Sequence, residues 1–85
     1  MADEITELLV ERGASWGDAV KTHVRIAQVW SGIFGFYVNS GQVALAMEGL
    51  KLVRASVNPD DPDSFKDGQA YNRIAELIYG HREAL

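Results

Sequence analysis

The sequence predicts an all-α protein, a four-helix antiparallel bundle that dimerises through its second helix. Three observations carry that expectation. Apolar residues recur at spacings of three and four along most of the chain, and no window alternates apolar with polar residues for more than a few positions. The breaks between the periodic segments are also short, which makes sequential helices antiparallel neighbours.

The first helix is expected over about 3–12. There Ile5, Leu8 and Leu9 form a stripe, acids crowd the first turn and Gly13 offers a stop. The second is expected over 16–37, opening near Ser15-Trp16-Gly17-Asp18. Val20, Val24, Ala27, Ser31 and Phe34 follow one face, and Ile26, Trp30, Ile33 and Tyr37 a neighbouring one. Its second half is therefore apolar nearly all round, as in a helix central to a fold or to an interface. Trp30 and Phe34 are expected in the core, with Gly32 and Gly35 permitting close packing inside the helix. The surplus apolar surface points to a dimer.

The third helix is expected over 40–57. Asn39 and Gln42 have capping-box spacing, and Val43, Ala46, Met47, Leu50, Val53 and Val57 then recur at helical intervals. Pro59 and Pro62 end it, since proline disfavours helix in the residue before it. The fourth is expected over 64–79. Ser64 with Asp67 repeats the capping spacing, Tyr71, Ile74, Ala75, Leu77 and Ile78 supply the buried face, and Gly80 is the stop.

Eighty-five residues make a single domain, 1–85, at a size where one core is marginal. There are no cysteines, which excludes disulfides and thiolate metal sites. The net charge of −4 opposes binding to nucleic-acid backbones, and no basic cluster exceeds Lys51 with Arg54. The longest apolar stretch, Val29 to Val38, is broken by Ser31, Gly32 and Gly35 and is half of the roughly 20 residues a membrane span needs. Met1-Ala2-Asp3-Glu4 is acidic with no apolar leader behind it, so a cytoplasmic protein is expected.

The residues that could carry chemistry flank the Asn58-Pro59-Asp60-Asp61-Pro62 loop. Lys51 and Arg54 can clamp a phosphate or carboxylate, Arg54 as a planar fork and Lys51 as a point charge. They can equally complement a helix dipole and lie over core residues. Asp63 and Asp67 stand one turn apart and, with Glu48 reaching across from the third helix, could hold Mg²⁺ through hard oxygen ligands. Alternatively Asp63 or Ser64 caps a helix and Asp60-Asp61 is a solvated loop. His23, between Val20 and Val24, reads as a partly buried structural histidine. Glu4 and Glu7 read as ordinary first-turn acids, and no serine or threonine stands in a nucleophile motif, so no catalytic residue is assigned.

Several fragments, in order, resemble a family of short all-α bacteriophage proteins: Glu11-Arg12 then Trp16-Gly17-Asp18, His23, Ile26-Ala27 and Trp30-Ser31. The likeness continues through Lys51-Leu52-Val53-Arg54, Asn58-Pro59, Asp63-Ser64-Phe65-Lys66-Asp67 and Tyr71. That family is itself similar to the MazG-like nucleotide pyrophosphohydrolases, all-α oligomers that hold Mg²⁺ with glutamate and aspartate pairs on consecutive helices. The resemblance implies a protein of the host-cell cytoplasm that binds a nucleotide or phosphorylated metabolite with Mg²⁺. Asp18, Lys51, Arg54 and Tyr71 would face the ligand, and Glu48, Asp63 and Asp67 the metal. Any activity would be metal-dependent pyrophosphohydrolysis. The chain departs from that pattern where Lys51 replaces the second glutamate of the first pair and Ser64 a glutamate of the second. The alternative is a non-enzymatic interaction module, such as a phage protein docking on a host factor, in which Arg54 pairs with Asp63 or Asp67 to pin two helices together.

Overall fold

A computed structural model describes residues 15–81, and these form three α-helices with no strand among them: α1 (Trp16–Phe34), α2 (Ser40–Val57) and α3 (Pro62–Gly80). The all-α class holds, whereas the described residues make a three-helix rather than a four-helix arrangement. The helix expected over 3–12 lies outside the described residues.

Local chemistry sets each boundary. Ser15 caps α1: its hydroxyl oxygen accepts the Asp18 backbone N–H at 3.1 Å. α1 ends at Phe34 and not at Tyr37, because Gly35 turns left-handed at φ 77° and its N–H returns to the Ser31 carbonyl. Gly35 is thus a helix stop, not a packing point inside a helix. α2 opens on the expected capping box, with Asn39 accepting from the Gln42 N–H at 2.8 Å and Gln42 from the Asn39 N–H at 2.9 Å. α3 begins two residues before the expected start. Pro62 occupies its first turn and Asp61 is the cap, accepting from the Asp63 N–H at 3.0 Å. Ser64 is buried and donates to Asp61 at 3.4 Å, so the expected Ser64–Asp67 cap does not form.

α2 and α3 are the most extensively packed pair, and they run antiparallel: Gly41 meets Tyr79, Glu48 meets Asn72 and Lys51 meets Asp67. The inward face of α2 is Ser40, Gly41, Val43, Ala44 and Ala55, while Ala46, Leu50, Val53 and Val57 of the expected stripe are exposed. Small residues won that face because they let the backbones approach. A Cβ on Gly41 would fall 2.6 Å from the Tyr79 ring, and one on Gly68 would touch the Lys51 Cβ at 3.6 Å. On α3 the expected Ile74, Ala75 and Ile78 are buried, with Tyr71 and Leu77 half-buried.

α1 packs on this pair through two clusters. Trp16, Ala19 and Val20 cover Ala44, Ile74, Ala75 and Ile78, and Ala27 joins Val38 and Val43, bordered by Ile26, Trp30 and Met47. Trp30 is half-buried, but Phe34 is exposed and lies outside the core. No described helix is long and apolar enough to cross a membrane.

The seam predicts a contrast between two apolar positions. Ile78→Ala, at a site with no solvent exposure, should cost about 2–5 kcal/mol in denaturant unfolding. Val57→Ala, at one of the most exposed positions, should stay within about 0.5 kcal/mol of wild type. Equal losses would mean that α2 buries the opposite face.

Candidate functional site

The polar residues singled out by the sequence do gather where α2 ends and α3 begins, but most are occupied with one another. Lys51 Nζ lies 3.1 Å from an Asp67 carboxylate oxygen, and both side chains are largely shielded from solvent. The Lys51 stem runs along the bare face of Gly68, which is what lets its ammonium reach Asp67 on the next helix. The pairing that pins the two helices is therefore made by Lys51 and not by Arg54. One turn earlier on α2, Glu48 Oε1 accepts from the Asn72 side-chain amide at 3.1 Å. Asp63 sits exposed in the first turn of α3, where a carboxylate complements the helix dipole.

Among the described residues no group of three or more histidine, aspartate or glutamate side chains is placed to hold a metal ion. The reason at Asp67 is physical: an ammonium already occupies the position from which a cation would be bound. Glu48, Asp63 and Asp67 are accordingly not assembled into a three-carboxylate site.

Arg54 is exposed and lines an open groove of about 290 Å³ with Val53, Val57, Asn58, Asp61 and Ser64. Tyr71 does not line it; its ring is edge-on to the His23 ring with centroids 5.7 Å apart and packs on the Ala44–Ile78 cluster. Asp18 belongs to the Ser15 cap beside a second, mostly apolar groove of about 380 Å³ whose lining includes Trp16, Val20, Leu77 and Ile78. Fifteen residues of α3 separate Asp63 from Ile78, roughly 22 Å of helix. The structure thus pairs Lys51 with Asp67, places Arg54 in a groove at the start of α3 with Asp63 exposed in that helix's first turn, and leaves Asp18 and Tyr71 elsewhere.

His23 is buried, as its position between Val20 and Val24 suggested. Its Nδ1 lies 2.7 Å from the Ala19 carbonyl oxygen, which can only accept, so the ring proton is on Nδ1. Nε2 is buried and has no hydrogen-bond partner among the described residues.

What the residue-by-residue reading missed is an aromatic corner after α1. Phe34 stacks on Phe36 at 5.8 Å and meets Trp30 edge-on at 6.4 Å. Ile33, Tyr37, Phe36, Val29 and Phe34 are 70%, 69%, 65%, 59% and 56% exposed, so this is surface and not core. The signal was present: a glycine inside Phe34-Gly35-Phe36-Tyr37, followed by a capping asparagine, marks a helix end that puts the flanking rings outside.

If Lys51 and Asp67 act as a structural clasp, Asp67→Ala should lower stability by about 1–3 kcal/mol. The Lys51→Ala/Asp67→Ala pair should cost less than the two single losses together, measured by urea unfolding in a double-mutant cycle. Strict additivity would show that the pair does not interact.

No curated protein and no solved structure matches the chain. Residues 2–79 do match a family described as a domain of unknown function, DUF6378, and with nearly the whole chain covered the protein belongs to that family.

Proposed function

We propose that the chain is a non-enzymatic protein-interaction module that docks through the corner formed by Val29, Ile33, Phe34, Phe36 and Tyr37. One observation carries this reading: the corner is built rigidly and yet left in water. Ser31, in the last turn of α1, accepts the Val38 N–H at 2.8 Å and donates to the Val38 carbonyl at 3.2 Å. Gly35 and the Asn39 cap fix the two ends of the same loop, and Val38 is buried beneath it. A loop ordered in this way presents its rings with little entropy left to lose on binding, which favours association. The polar cluster supports the same reading, since Lys51, Asp67, Glu48 and Asp61 are already used in holding helices together or capping them. If the gene is carried by a phage, a host protein is the natural partner class.

The test is a Phe36→Ser/Tyr37→Ser variant. At protein concentrations dilute enough to leave the corner uncovered, binding of an apolar fluorescent dye should fall severalfold, while the melting temperature stays within about 4 °C, the shift expected for less than 1 kcal/mol in a chain this size. A collapse in melting temperature would make these rings part of the folded core and sink the reading.

A second reading is favoured by the Arg54 groove: binding of a nucleotide or phosphorylated metabolite with Mg²⁺, as the likeness to MazG-like proteins suggests. Arg54 offers a planar donor fork suited to phosphate, and the start of α3 adds a positive dipole end to the same groove. A ligand that binds only the folded state stabilises it by about 2.7 kcal/mol at a hundredfold excess over Kd. A thermal titration with nucleotides and Mg²⁺ should therefore show a shift that Arg54→Ala removes. No shift with any nucleotide would end this reading.

A further inference from the structure

We propose that the occupant of the aromatic corner is a second copy of this chain, packed α1 against α1 around Gly32. The inference rests on the corner being a docking surface, and it identifies the partner.

Gly32 is the first observation. It lies within α1 one turn after Val29 and two residues before the helix ends at Phe34, where glycine costs roughly 0.5–1 kcal/mol relative to alanine. Among the described residues nothing uses the space it leaves, since a Cβ there would meet none of their atoms within 4 Å. Gly41 and Gly68, by contrast, each admit a neighbouring side chain. Among the described residues the notch at Gly32 is therefore unfilled, bordered by Gln28, Val29 and Ile33 of the same helix. In a two-fold arrangement each copy would present the same notch and the same rings, so a ring of one enters the notch of the other.

Charge is the second observation. From Gln28 to Met47 the chain carries no Asp, Glu, Lys, Arg or His, in a protein of net charge −4. Two like-charged copies repel, and the contact that avoids this is one made by uncharged stretches. A strongly charged partner would find no complementary group here. Area is consistent with a pairing of this kind. At 56%, 65% and 69% exposure the three rings leave roughly 400 Å² in water, and Val29 and Ile33, 59% and 70% exposed, add roughly 200 Å² more. With its uncharged rim this approaches the roughly 800 Å² that each side gives to a standard interface.

The experiment is sedimentation of the purified full chain across a concentration series, beside Gly32→Leu and Ile33→Glu. Gly32→Leu fills the notch, its Cβ meets none of the described residues within 4 Å and it improves helix propensity, so it should keep wild-type helicity by circular dichroism. Wild type should sediment as a dimer, and both variants should raise the dissociation constant at least about tenfold, equivalent to ~1.4 kcal/mol. A monomeric wild type at the highest soluble concentration overturns the proposal, as does a dimer that neither variant weakens. Dye binding separates the two claims. A monomer that still binds the apolar dye through Phe36 and Tyr37 keeps the corner as a docking surface for another protein, whereas a monomer that binds none removes both.

Discussion

The close seam between α2 and α3 is the constraint on which the rest of the molecule depends. It is made from small residues, Ser40, Gly41, Ala44 and Ala55 against Ser64, Gly68 and Ala75, with Ile74 and Ile78 as the large contributors. Small side chains gain little individually from burial, but they let backbones approach and multiply dispersion contacts along the seam. The choice has a cost in apolar exposure. With the small face turned inward, Leu52, Val53 and Val57 of α2 are left on the outside. The same approach draws Lys51 and Asp67 together across Gly68, so the seam also decides what the polar cluster can do.

The features legible in the sequence are those set by local chemistry. Ser15 with Asp18, Asn39 with Gln42, and the prolines around the second loop announce their boundaries within four residues, and the helices begin or end close to them. The inward face of α2 was not legible, because hydrophobic periodicity ranks Leu50, Val53 and Val57 above glycine and serine. Only the partner helix decides between the two faces, and its own small residues are spread among polar ones. The candidate site was legible as a place but not as a set of pairings: Lys51 does meet Asp67 and Arg54 does stand by the start of α3, yet which cation meets which carboxylate depends on register across the seam. Gly35 could have been read correctly from its left-handed preference, and with it the exposure of Phe34.

The Lys51–Asp67 pair bears directly on metal chemistry at this end of the molecule. A divalent ion at Asp67 would have to displace an ammonium 3.1 Å away, leaving a cation confined beside Gly68 in a largely dry seam. Stranding a buried charge is expensive, about 3–5 kcal/mol where burial is complete. Glu48, the nearest carboxylate on α2, would have to release Asn72 as well. A phosphate-bearing ligand therefore finds its easier contact at Arg54, which faces open solvent in its groove.

The aromatic corner raises the opposite problem, since its groups are held in place without being covered. An exposed ring is unexceptional by itself, because much of any folded surface is apolar. Here Val29, Ile33 and Phe34 stand on the last turns of α1, and Phe36 and Tyr37 on the loop after it, which is tied down by Ser31, Gly35 and Asn39. Ordering such a loop costs about 1–2 kcal/mol of backbone entropy per residue, and burial of Val38 alone recovers only part of that across the loop. A flexible polar connection would join α1 to α2 as well, at less risk of aggregation. The rigid form becomes favourable once another surface covers the rings, because the ordering has already been met in the free protein and the contact gains their full apolar area. The absence of charge across the same stretch then selects for an uncharged partner surface, and every copy of this chain carries one.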